Sequence, residues 1–100
     1  MTREQLIDEK TKDSNGFFWG AFSEDRTNPM FFIADKNFNV LFTCPAFIKG
    51  HFTTEVKEAL SKYGISEEAS RMRTDENIEA LKHSIEVEYR IYKLYQKRTT

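Results

Sequence analysis

A chain of 100 residues with 39% hydrophobic and 14% aromatic content has the length of one domain, and it can close a core without staples. Its 15 basic and 16 acidic side chains leave a net charge of −1. The apolar and aromatic content argues against disorder, and the charge balance against a nucleic-acid wrapper or an acidic nucleic-acid mimic, since each of those two needs a strong field of one sign.

Cys44 is the only cysteine and cannot form an internal disulfide, which fits a reducing compartment. The first ten residues, MTREQLIDEK, hold no apolar segment of the signal-peptide kind. No apolar run approaches the roughly 20 residues that span a bilayer. The expectation is one soluble, cytoplasmic domain over residues 1–100, with no membrane contact.

All nine Phe and the single Trp lie between Phe17 and Phe52, whereas only six of the 31 charges do. Aromatic residues favour half-buried pleated surface and charges fill solvent-facing helix positions. The expected fold is therefore α+β: a short N-terminal helix, a three-stranded antiparallel meander, then two or three helices. The long last helix should pack on the sheet.

Thr2 with Gln5 fits a capping box, and a helix from Thr2 to about Lys12 would turn Leu6 and Ile7 inward. Asp13-Ser14-Asn15-Gly16 ends it. Phe17 to Phe22 reads as the first strand. Phe17, Trp19 and Ala21 fall on one face, Phe18 and Phe22 on the other, so both faces need cover or one awaits a partner. Glu24 to Pro29 is a polar loop. The stretch FFIADKNFNVLF, Phe31 to Phe42, reads as a tight hairpin. Met30 to Ala34 is its first strand and Phe38 to Thr43 its second. Asp35-Lys36-Asn37 forms the turn, with Asn37 in the left-handed position. Phe38, Val40 and Phe42 should then share one face. Cys44-Pro45 ends the third strand. Ala46 to Phe52 is a connection of buried-type residues with a turn at Gly50.

Thr53 or Thr54 caps a helix whose Val56, Ala59, Leu60 and Tyr63 form one stripe, and Gly64 stops it. Ser66 caps a short continuation to Met72, with Ile65, Ala69 and Met72 facing in. Thr74 caps a last helix over roughly 75–97, acidic at its start and basic at its end, as the helix dipole favours. Its main stripe is Ile78, Leu81, Ile85, Tyr89, Tyr92 and Tyr95. A second stripe of Val87, Ile91 and Leu94 lies opposite.

One core can take only one of those stripes. Val87, Ile91 and Leu94 therefore either pack on the N-terminal segment at Leu6 and Ile7, or form an exposed surface for a second copy or another protein. Trp19 is a further interface candidate from the two-faced first strand. An aromatic pocket lined by Phe18, Phe32 and Phe47, enclosed by the meander and the helix at 53–63, would instead give a small-ligand-sensing domain.

Other chemistry is thin. Thr54 to Arg73 loosely resembles a helix-turn-helix, which implies DNA binding. However, Ser61 and Ser70 stand where small apolar and β-branched residues belong, and Glu67 and Glu68 would face phosphate. Phe17 and Trp19 could form a stacking platform for single-stranded nucleic acid, but the nearest basic residues, Arg26, Lys36 and Lys49, all lie in loops. Cys44, His51 and His83 are the only soft metal ligands and lack a ligand spacing. No glycine-rich phosphate loop is present, so no catalytic, cofactor or metal residues are assigned. The order helix, three strands, helices recurs in small phage-encoded inhibitors and in many unrelated domains, an analogy of fold rather than of function. The leading expectation is a non-enzymatic interaction protein (adaptor, inhibitor or regulatory subunit) that occludes a partner's surface or dimerises.

Overall fold

The computed structural model describes residues 2–22, 29–70 and 78–99, with side chains for all of these except residues 22 and 95–99. It is an α+β architecture. Helix α1 (Arg3–Thr11) leads through a 3₁₀ turn into strands β1 (Phe18–Phe22), β2 (Met30–Ala34) and β3 (Val40–Pro45), which pair antiparallel in the order β1-β2-β3. A small hairpin, β4 (Phe47–Ile48) with β5 (His51–Phe52), precedes helices α2 (Thr54–Lys62), α3 (Glu67–Ser70) and α4 (Ile78–Thr99). The expected cap of the last helix at Thr74, its start at Asp75, the inward Met72 and the loop from Glu24 to Asn28 lie outside the described residues.

Local chemistry sets each boundary. Thr2 and Gln5 close a capping box: the Thr2 backbone N–H donates to Gln5 Oε1 at 2.7 Å, and the Gln5 N–H donates to Thr2 Oγ1 at 3.1 Å. Asn15 (φ 56°) and Gly16 (φ 85°) turn the chain left-handed after the 3₁₀ turn. Thr53 caps α2 by accepting from the Val56 N–H at 3.3 Å, while its hydroxyl donates to the Pro45 carbonyl at 2.9 Å. At the other end the Ile65 N–H reaches the Leu60 carbonyl at 2.9 Å and the Gly64 N–H reaches Ser61 at 3.2 Å. That pair of bonds is a Schellman closure, with Gly64 (φ 70°) in the left-handed position it requires.

β2 is the centre of the molecule. Phe31, Phe32, Ile33 and Ala34 are all at most 1% exposed, so both faces of the sheet are covered at this strand. On one face Trp19, Ala21, Phe31, Ile33 and Cys44 meet Val56, Ala59 and Leu60 of α2, with Ile65 following. On the other, Phe18, Phe32 and Ala34 meet Ile7 of α1 and Leu81 and Ile85 of α4. The salt bridges Arg3–Glu86 (3.5 Å) and Lys10–Glu88 (3.0 Å) run between α1 and α4.

The second hairpin strand departs from expectation. It starts at Val40 rather than Phe38, and Phe38 rather than Asn37 takes the left-handed conformation, at φ 66°. The Asp35 carboxylate explains the shift. It accepts from the backbone N–H groups of Asn37 and Asn39, both at 2.9 Å, and so holds a three-residue loop with the left-handed residue third. The register then slips between Ile33 and Ala34, which pair with Phe42 and Val40, so Leu41 is the extra residue of a bulge. Phe38 and Phe42 consequently part company: Phe38 packs on the α4 side and Phe42 on the α2 side, while Val40 is exposed. The stretch from Ala46 to Phe52 is also a hairpin rather than a plain connection. Its two-residue turn, Lys49 (φ 52°) and Gly50 (φ 82°), has the doubly left-handed form that suits paired strands.

Candidate functional site

The second stripe of α4 is not covered by α1. Ile7 turns to Leu81 and Ile85, on the side of α4 that faces the sheet. Val87, Ile91 and Leu94 are 36%, 61% and 63% exposed. At 100° per residue the centre of this stripe lies about 130° around the helix from the centre of Leu81 and Ile85, so one body cannot bury both sets. The reading in which they pack against Leu6 and Ile7 is therefore not what the structure shows.

Beside this stripe the helix is basic. Arg90 and Lys93 are exposed, and with Tyr89 and Leu94 they line a shallow apolar hollow. The Lys93 ammonium lies 5.3 Å from the centre of the Tyr89 ring, which keeps its charge next to the hollow. Glu88, on the opposite flank, is engaged by Lys10. The side chains of Tyr95, Lys97 and Arg98, expected to continue the pattern, are outside the described set.

The remaining expected site residues do not assemble. Trp19 is 2% exposed inside the sheet–α2 layer and so cannot contribute to a surface. The two-sided apolar pattern of its strand comes from burial on both faces. The Phe18–Phe32–Phe47 pocket is not formed. Phe18 and Phe32 are fully buried in the layer under α1 and α4, whereas Phe47 is 37% exposed on the small hairpin. Phe47 instead stacks on Phe52, with ring centres 5.3 Å apart. Residue type alone does not say which rings share a layer: Phe18 and Phe32 do, and the hairpin over residues 47–52 keeps Phe47 out of it.

Ser70, the weak point of the helix-turn-helix resemblance, is buried, and its hydroxyl donates to the Glu67 carbonyl at 2.7 Å. Glu67 and Glu68 are exposed at the start of α3. Cys44 is buried, and desolvation pushes its thiol pKa up, the reverse of what an activated nucleophile needs. His51 is exposed on the small hairpin and His83 on α4. Among the described residues no three His, Cys, Asp or Glu side chains lie close enough to share a metal ion. Among them, too, no helix is long and apolar enough to cross a membrane.

Residue-type reading missed a second uncovered region. Val40 (49%) and Leu41 (44%) on β3 and Ile48 (61%) on the small hairpin are exposed. A usable signal was present: no charged residue occurs from Asn37 to Ile48. No protein-family model matches the chain, and no curated protein or solved structure gives a significant match.

Proposed function

We propose that the chain is a non-enzymatic interaction protein that acts by laying the distal half of α4 on a partner and occluding that surface. The observation that carries this reading is the stripe Val87, Ile91 and Leu94, exposed on the side of α4 turned away from its own core. Burying Ile and Leu side chains of this kind contributes on the order of 2 kcal/mol each. Arg90 and Lys93 beside the stripe set the partner's chemistry: an apolar cluster edged by carboxylates. The stripe alone covers less than the roughly 800 Å² per partner of a stable interface, so flanking residues must join it.

Affinity capture with the full chain, compared with the Ile91→Asp/Leu94→Asp double variant, tests the proposal. The expected result is one defined acidic partner, recovered by the natural chain and lost with the variant, whose circular dichroism and melting temperature are unchanged. Equal recovery by both would refute it. Light scattering adds a third outcome: a dimer that the double variant dissociates would assign the stripe to a second copy instead.

A further inference from the structure

We infer that the groove between the outer edge of β3 and helix α2 binds an extended polypeptide segment, which adds to the sheet as a fourth strand. This surface is independent of the α4 stripe and on the other side of the sheet from it.

The edge is available. β3 pairs with β2 on one side only, and among the described residues no strand lies beside its outer edge. Alternate residues of such an edge present unpaired N–H and C=O groups, which template another strand. Natural sheets usually blunt a free edge with Lys or another charge, but β3, VLFTCP, has none. Its pairing length is set at one end by the bulge at Leu41 and at the other by Pro45, which leaves a short stretch centred on Phe42 and Thr43.

The groove beside that edge is also built for side chains. α2 runs antiparallel to β3: the Thr53 cap is bonded to Pro45, and the far end of α2 reaches the level of Phe42. Between them Phe42, Ala59 and Tyr63 form the floor of a hollow of about 190 Å³. That is on the scale of the ~150 Å³ cavities that accept a benzene-sized group. Glu55, Glu58 and Lys62 stand on its rim. Lys62 leans over the Tyr63 ring at 5.8 Å, and neither glutamate has a salt-bridge partner among the described residues.

These features define the occupant. In an added strand, residues i and i+2 point to the same face, about 7 Å apart. One of them, an apolar side chain, enters the hollow. A Lys or Arg two positions away meets Glu55 or Glu58. Main-chain bonds to β3 supply affinity and the two side chains supply specificity. A second copy fits less well, because its own β3 is uncharged and brings no cation to the glutamates.

A phage-displayed library of random nonapeptides, panned on the full chain, tests this. Selected sequences are expected to share an apolar residue with Lys or Arg two positions away. By fluorescence polarisation, Glu55→Lys/Glu58→Lys should weaken the synthesised winner at least tenfold. N-methylation of the peptide backbone should do the same at alternate positions only. Ile91→Asp/Leu94→Asp should leave its affinity unchanged, which separates this groove from the α4 surface. The inference is overturned if nothing is enriched, or if the winners ignore both the charge reversal and the N-methylation. It is overturned equally if light scattering finds a dimer whose β3 amides are protected from exchange, since a second copy then fills the edge.

Discussion

Phe38 holds a backbone conformation that β-carbon sterics resist, at φ 66°. Two contacts keep it there. Its ring stacks on Phe18 with centres 5.0 Å apart, and the Arg3 guanidinium lies 5.5 Å from it. Removing the ring while keeping the strain is the worse change. Phe38→Ala should lose about 2 kcal/mol, and Phe38→Gly about 1 kcal/mol less than that, because glycine relieves the left-handed penalty. Urea unfolding of both variants checks the order. Asp35 makes the turn possible, and its hydrogen bonds favour the ionised form. The bond from the Asn39 N–H contributes most to lowering its pKa, followed by the Asn39 side chain. A native pKa below the unfolded one adds stability above the unfolded value of about 3.9. That stability is lost as pH falls through the lowered native value. The melting-temperature gap between the natural chain and Asp35→Ala should therefore be widest at neutral pH and close in acid.

The elements are fixed chiefly by their ends. α2 has a hydrophobic stripe of only three fully buried residues, Val56, Ala59 and Leu60, so its caps matter. Thr53→Ala removes the cap and the bond to Pro45 together and should cost about 1–2 kcal/mol. Gly64→Ala meets two obstacles: a φ of 70° and a new β-carbon 2.8 Å from Asn15 Nδ2. That amide is itself held by the Tyr63 carbonyl at 3.0 Å, so it cannot move aside freely. A loss of about 2 kcal/mol is expected, against about 1 kcal/mol for Gly50→Ala (φ 82°), where nothing lies within 4 Å. Thermal melts of the three variants measure this directly.

The whole molecule is long, 53 × 29 × 21 Å, with a radius of gyration of 15.1 Å. A compact chain of this length has about 13 Å. The excess follows from α4, whose 22 residues extend about 33 Å, while its buried contacts with the body are at Leu81 and Ile85. Protection should track that contact. Amide exchange is expected to be slowest near residues 81–85 and to rise toward residue 94, and exchange mass spectrometry reads the gradient. Uniform protection along α4 in a monomer would contradict the projecting arrangement. The salt bridges Arg3–Glu86 and Lys10–Glu88 do not change this expectation, since their side chains are 32–40% exposed and such pairs contribute about 1 kcal/mol or less.

Much of this was legible from the chain alone, because it rests on local chemistry. The Thr2–Gln5 box, the Thr53 cap, the Gly64 stop and the α2 stripe all involve residues within a few positions of one another. The helix–meander–helices order follows from where the aromatics and charges sit. Long-range packing is different. Whether Trp19 faced a partner or a helix depended on α2, some forty positions away. Whether Phe47 could join Phe18 and Phe32 depended on the hairpin over residues 47–52, which stacks it on Phe52 instead. A period-two pattern specifies faces but not what covers them. The surplus stripe of α4 was therefore visible in advance, while its exposure, and an edge of β3 that no strand pairs among the described residues, depended on where the other elements packed.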